Sequence, residues 1–172
     1  MKYLSNKTGY DFRVRFSDSY SRTYEMLGKG HVQFALVGGA GFVAAKRKYD
    51  IRMLARGINM EGKASYRAII FARKDSNIKS ISDIKGKSFA FGAVESTQGH
   101  LIARKMLEDA GIRLNDFKSH IFTGSHQGAV DAVLSGKADA GAAQDMLVER
   151  MSKDGKVKII AVSEEFPSSG IA

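Results

Sequence analysis

The chain has 172 residues, of which 44% are hydrophobic and 26% charged, with a net charge of +9 and no cysteine. That length holds one large domain or two small lobes, and the composition is that of an ordinary globular protein. Disulfides, thiolate metal sites and cysteine nucleophiles are excluded, and no apolar run reaches the roughly 18 residues of a spanning helix.

Met1 to Thr8 reads as the end of a helix stopped by Gly9, and it lacks the apolar core of a secretory signal. A strand pattern follows at Asp11–Phe16, then a helix at Ser19–Leu27, a strand at His31–Val37 and a helix at Gly41–Tyr49. Strand patterns at Ile51–Gly57 and Ala68–Ala72 precede a short helix at Ser82–Ile84 and a strand at Ser88–Phe91. The remainder alternates: helix Thr97–Ala110, strand Ser119–Phe122, helix Gln127–Ser135, strand Ala138–Ala142, helix Asp145–Ser152, strand Val157–Val162. This order predicts an α/β fold with largely parallel sheets. Phe166 to Ala172 stops in a loop that is turning hydrophobic, so both ends read as those of a fragment, and the missing signal says nothing about compartment.

A weak internal echo supports two similarly built lobes. Glu25-Met26-Leu27-Gly28-Lys29-Gly30 leads into the strand at His31–Val37, and Ala132-Val133-Leu134-Ser135-Gly136-Lys137 leads into the one at Ala138–Ala142. Ligands of open parallel sheets bind beyond the carboxyl ends of the strands, so two facing lobes would turn the following loops into one cleft. Those loops are Gly38-Gly39-Ala40-Gly41-Phe42, Glu95-Ser96-Thr97-Gln98, Thr123-Gly124-Ser125-His126 and Ala143-Gln144-Asp145. Three of the four start helices. First-turn N–H groups lack intrahelical partners and the helix dipole favours negative charge, so such starts bind anions. Taken alone, Ser96 or Thr97 would be read simply as an N-cap; their convergence with the other loops favours an oxyanion site.

The positive charge raises nucleic acid as a partner. The basic residues are nevertheless dispersed, with Lys46-Arg47-Lys48 the densest group, and lack a stripe interleaved with aromatics. They read as a solvated surface and a general field drawing anions towards a cleft. A nucleic-acid binder would instead show affinity falling steeply with salt.

Four segments, in order, resemble the phosphate/phosphite/phosphonate-binding family of periplasmic solute-binding proteins of ABC transporters. They are Ser65-Tyr66-Arg67-Ala68-Ile69-Ile70, Ile81 to Gly92 (ISDIKGKSFAFG), Glu95-Ser96-Thr97-Gln98-Gly99-His100 and Phe122-Thr123-Gly124-Ser125-His126. The resemblance covers nearly the whole chain, including Tyr3 to Tyr10. The Ser-Thr-x-Gly-His run with the downstream Thr-Gly-Ser-His is its most specific part.

The resemblance implies a two-lobe "Venus flytrap" fold, with residues 1–65 in a partial first lobe, 66–162 in the second and 163–172 returning towards the first. It further implies that Ser96, Thr97 and the Gln98 N–H hold the oxyanion, that Tyr66 adds its hydroxyl, and that His126 adds a ring N–H with Ser125 beside it. A structural, capping role is the other reading of His126. His100 is expected to flank the site; His31 and His120 are expected to be structural.

Two positions depart from the family pattern. The first-lobe loop commonly carries a proline and a tyrosine, whereas here Phe42 offers a ring without a hydroxyl. The acidic cluster after Ala138–Ala142 is reduced to Asp145, which favours a plainer oxyanion such as phosphite, methylphosphonate or phosphate over an amine-bearing ligand.

The expected function is therefore that of a solute-binding component of an ABC transporter, periplasmic or extracellular, free or lipid-anchored, acting with a membrane permease. The expected state is a monomer with no cofactor, no metal and no nucleic-acid partner. Enzyme activity is not expected: the chain has no nucleophile elbow and no helix-spaced histidine pair. The alternative is a ligand-sensing domain of the same fold in a membrane-bound signalling protein such as a histidine kinase.

Overall fold

The structure is a computed structural model that describes residues 1–59 and 61–172. Helix α1 (Lys2–Thr8) ends where Gly9 adopts a left-handed φ of 75°, the conformation that a C-terminal glycine supplies without steric cost. Residues Asp11–Phe16 do not form the expected strand. They carry the alternation of Phe12, Val14 and Phe16, but no neighbouring strand pairs with them among the described residues, and Phe16 is 94% exposed.

Helix α2 (Tyr20–Gly28) is capped by Ser19, whose Oγ accepts the Arg22 N–H at 3.2 Å. It packs on α3 (Gly39–Lys48), which begins two residues earlier than expected. Only the last two residues of the His31–Val37 pattern form a strand, β1 (Leu36–Val37), and only Ala55–Arg56 (β2) of the Ile51–Gly57 pattern. Both pair antiparallel with β10 (Gly170–Ile171), which lies between them. A Cβ at Gly170 would fall 2.2 Å from the Ala55 carbonyl oxygen, so the central position admits only glycine. Tyr24, Val37, Ala45, Ile51 and Ala172 form the core of this region, with Phe42, Tyr49 and Met53 against it.

The chain leaves through β3 (Ser65–Tyr66) into β4 (Ala68–Arg73). A 3₁₀ turn (Ile81–Ile84), started by a Ser80–Asp83 capping box, leads to β5 (Ser88–Phe91). A π turn (Thr97–Ile102) runs into α4 (Ala103–Asp109), followed by β6 (Ser119–Phe122), α5 (His126–Leu134), β7 (Ala140–Gln144), α6 (Asp145–Lys153) and β8 (Val157–Val162). The strands form a five-stranded sheet in the order β6-β5-β7-β4-β8.

The sheet is mixed, which corrects the expectation of a largely parallel one. β5 runs parallel to β6 and β7, but β4 runs antiparallel to both β7 and β8. β4 carries the chain in from the first region, and β8 carries it back out through β9 (Phe166–Pro167), which pairs antiparallel with β3. Entry and exit on adjacent strands require opposite directions.

Alternation along the strands separates two buried clusters. Ile69, Phe71 and Ala90 face α5 and α6, while Ile70, Ala72, Phe89 and Phe91 face α4 and the 3₁₀ turn. Both faces are covered, which explains why these strands read as apolar runs. Truncating a fully buried ring such as Phe71 to alanine costs about 3–5 kcal/mol.

Candidate ligand-binding site

The site is built from backbone outward. Ser96 Oγ accepts the Gly99 N–H at 3.0 Å, and the Ser96 carbonyl accepts both the His100 and Leu101 N–H groups, at 3.1 and 3.0 Å. The double acceptance winds this segment as a π turn, a form that recurs at functional sites. Ser96 is thus the cap, and its neighbour Thr97 is released for other contacts. The Thr97 and Gln98 N–H groups stand at the mouth of the turn, where no preceding turn can take them.

Facing this mouth is the start of α3. The Ala40 N–H donates to Thr97 Oγ1 at 3.1 Å. A Cβ at Gly38 would sit 3.3 Å from that oxygen, and one at Gly39 would sit 3.5 Å from the Tyr66 hydroxyl. The Tyr66 hydroxyl is within reach of Thr97 and the Gly39 backbone; burial outweighs both and raises its pKa above the ordinary tyrosine value. At neutral pH it is therefore a neutral donor.

His126, the first residue of α5, packs against the same π turn. Its Nδ1 would lie 3.0 Å from a Cβ at Gly99, so the ring rests on the Gly99 backbone. That nitrogen is buried without a hydrogen-bond partner among the described residues. Burial lowers the His126 pKa, and the Asp145 carboxylate opposes this only in part, so the imidazole is neutral at neutral pH.

The remaining expected site residues have other contacts. Ser125 caps α5, its Oγ accepting the Gly128 N–H at 2.9 Å. The Gln98 side-chain amide donates to the Arg67 carbonyl at 2.9 Å, and Asp145 Oδ2 accepts the Arg67 N–H at 2.8 Å. These two residues hold Arg67 from both sides and so position its neighbour Tyr66. Phe42 is half-buried against the first-region core, with Lys46 Nζ 5.7 Å from its ring centroid, and so packs away from these donors.

His100 donates its Nδ1–H to the Val94 carbonyl at 2.6 Å, since a carbonyl oxygen can only accept. Its ring meets Phe91 and Phe122 edge-on and supports the loop from behind.

The first-turn N–H of Ala40 and the phenol of Tyr24 were not singled out by the residue pattern. The glycines of residues 38–41 were the available signal for both. A Cβ at Gly41 would fall 1.8 Å from the Tyr24 hydroxyl, so that ring occupies the space a side chain would fill. Burial, and then Tyr20, Glu95 and Tyr66, push the Tyr24 pKa up to about 12. Ser21 Oγ donates to Glu95 Oε1 at 2.7 Å, so α2 as well as α3 is linked to the loop that carries Thr97.

A concavity of about 1570 Å³ lies instead between residues 10–19 and the loop Ala93–Glu95. It is lined by groups such as Phe16, Phe34 and Val94 and touches the donors described above only through the neighbouring Glu95. Convergent polar groups, rather than volume, identify the candidate site. Among the described residues, no cluster of three or more His, Cys, Asp or Glu side chains is arranged to hold a metal. No described helix is long and apolar enough to cross a membrane.

Residues 1–172 match the family described as "ABC transporter, phosphonate, periplasmic substrate-binding protein". The probable ABC transporter phosphite binding protein PhnD1 of Prochlorococcus marinus is 37% identical over 81 residues, covering 46% of this chain and 27% of that protein. The structure of PhnD1 in complex with methylphosphonate superposes with a TM-score of 0.87 at 22% identity, over 99% of this chain and 66% of that one. The phosphate-import protein PhnD of Mycolicibacterium smegmatis is 28% identical over 188 residues, covering 100% of this chain and 59% of that protein. The tetrathionate sensor histidine kinase TtrS of Salmonella typhimurium is 32% identical over 155 residues, covering 87% of this chain and 26% of the kinase. The chain thus spans 59% or less of the length of these curated relatives. The structural likeness establishes the two-lobe periplasmic-binding-protein fold.

Proposed function

The chain belongs to the family of periplasmic substrate-binding proteins of phosphonate ABC transporters, and from that premise we propose that it binds a phosphonate-, phosphite- or phosphate-like oxyanion between its lobes for delivery to a membrane permease. One observation carries this reading: the Thr97 hydroxyl, the Tyr66 hydroxyl and the first-turn N–H groups of α3 meet at one point across the two regions. Hydrogen bonds to an ionised acceptor are about twice as strong as neutral ones, so neutral donors suffice.

In this reading Thr97, the Gln98 N–H, Tyr66 and His126 contact the ligand. Ser96 and Ser125 hold the helix starts in place, Asp145 and the Gln98 amide hold Tyr66, and Phe42 supports the first-lobe loop. The lobes are residues 1–65 and 66–162, with 163–172 returning; the antiparallel crossing of β3 and β9 supports that division. The protein works as a monomeric binder without catalysis, outside the cytoplasm, free or lipid-anchored, and without nucleic acid.

A thermal-shift panel of phosphate, phosphite, methylphosphonate and sulfate tests this, because a ligand bound only by the folded state raises stability. One clear stabiliser from the phosphorus oxyanions is the expected result; no shift with any of them overturns the assignment.

The likeness to TtrS supports a second reading, a sensor module with the same cleft chemistry. It predicts that the gene continues from this chain into a membrane span and a kinase domain, whereas a transport protein is encoded without them.

A further inference from the structure

We propose that Tyr24 is a further ligand-contacting residue, its phenol hydroxyl donating to the oxyanion from beside the first turn of α3. This rests on the reading of the cleft as an oxyanion site given above. Tyr24 is the buried residue of α2, only 8% exposed, and its ring tip runs under α3. A Cβ at Gly41 would fall 1.8 Å from the hydroxyl oxygen and 2.0 Å from the ring carbon that bears it. Cβ positions on a helix tilt towards its N-terminus. The hydroxyl therefore lies at the first turn of α3, ahead of the first intrahelical bond, from the Phe42 N–H to the Gly38 carbonyl.

Three hydroxyls gather on this one turn. Thr97 Oγ1 would lie 3.3 Å from a Cβ at Gly38, the Tyr66 hydroxyl 3.5 Å from one at Gly39, and the Tyr24 hydroxyl at Gly41. Residues 38–42 bring no side-chain donor of their own, being glycine, alanine and Phe42. Their smallness is what lets donors from other elements reach the turn. The field of Tyr66 also reaches Tyr24, so the two phenols are neighbours.

Packing explains the Tyr24 ring but not its hydroxyl. At the C-terminal ends of α2 and α3, Tyr49 fills a similar gap, its ring 2.1 Å from a Cβ at Gly28. Such contacts let the helices approach, and phenylalanine would serve them equally well. A hydroxyl carried into a buried site calls for a partner, and that of Tyr24 has none among the described residues. Glu95 is the other acceptor whose field reaches it, and its Oε1 already accepts the Ser21 hydroxyl at 2.7 Å.

Calorimetric titration of Tyr24→Phe with phosphite and methylphosphonate, beside thermal unfolding of the free protein, tests the proposal. Affinity for each probe that the wild-type protein binds is expected to fall about tenfold or more, the scale of a hydrogen bond to an ionised acceptor. The melting temperature without ligand is expected to hold or rise, because an unpartnered hydroxyl is removed while the ring stays. Unchanged affinity overturns the proposal. A lower melting temperature without ligand makes the hydroxyl a structural one and overturns it too. Repeating the titration in a Glu95→Gln background is expected to give a loss of the same size; a loss that disappears there assigns the hydroxyl to Glu95 and overturns the ligand contact. If the wild-type protein binds neither probe, the oxyanion reading itself fails, and the inference with it.

Discussion

The Ala40 amide donates to the Thr97 hydroxyl at 3.1 Å, joining two helix starts that are 57 residues apart in the chain. One hydroxyl thereby reads the positions of both regions, and the Tyr66 phenol, placed by the chain crossing, stands beside it. A donor set assembled in this way exists only while the two regions face each other.

Thr97→Val keeps the shape of the side chain and removes the hydroxyl. It should weaken oxyanion binding by about 1.5–3 kcal/mol, the scale of a hydrogen bond to a charged group. Thr97→Ser should retain most of the affinity. Calorimetric titration of the variants checks both outcomes, and equal affinities for valine and wild type would move the site elsewhere.

Tyr66→Phe should weaken binding on the same scale while leaving the fold intact, because the phenol is only half-buried. Asp145→Ala should weaken binding through Tyr66, by releasing the Arg67 N–H that the carboxylate holds at 2.8 Å. In a double-mutant cycle the two losses should fall short of their sum, since they act on one group. Full additivity would show that Asp145 acts independently of Tyr66.

Gly99→Ala places a Cβ 3.0 Å from both His126 Nδ1 and Ser96 Oγ, closer than an ordinary contact. Overpacking of this kind costs about 1–3 kcal/mol. It should lower the midpoint of denaturant unfolding and also reduce ligand affinity, because the shifted groups are a candidate ligand contact and the cap of the π turn. Chemical denaturation with and without ligand separates the two effects.

Tyr24 provides the pH test. Its pKa rises from 10.0 to about 12 on folding, so the folded protein holds that proton more tightly than the unfolded chain. The stability this contributes is complete below pH 10.0 and is lost as pH rises towards about 12. Ultraviolet titration should show one tyrosine ionising after the others, and Tyr24→Phe should remove that late step. A titration unaffected by the substitution would contradict the burial of this phenol against Gly41.

Several elements were legible because their local pattern meets a matching environment. Ser88–Phe91, Ser119–Phe122 and Val157–Val162 form strands over the expected residues. Asp11–Phe16 has the same alternation and forms none, since a strand is a property of a pair and this segment finds no partner among the described residues. The direction of β4 was hidden for a similar reason: it depends on where the chain crosses between regions, and no residue in Ala68–Arg73 encodes that.

At the site, the sequence distinguished a Ser-Thr helix start but not which hydroxyl caps it. That division depends on the Ser96 carbonyl taking two N–H groups, a matter of hydrogen-bond register rather than residue type. Asp145 was expected among the site residues and Gln98 was expected to offer its backbone N–H; the Asp145 Oδ2 and the Gln98 side-chain amide are engaged by the Arg67 backbone. Their role became visible only once the partner across the chain crossing was known.

The most direct measurement is a crystal structure of the protein grown with methylphosphonate or phosphite. The account predicts oxyanion density between the Thr97 and Gln98 amides, the Tyr66 hydroxyl and the first turn of α3. Density in the concavity beside Phe16 and Val94, or none where Thr97 meets Ala40, would contradict it.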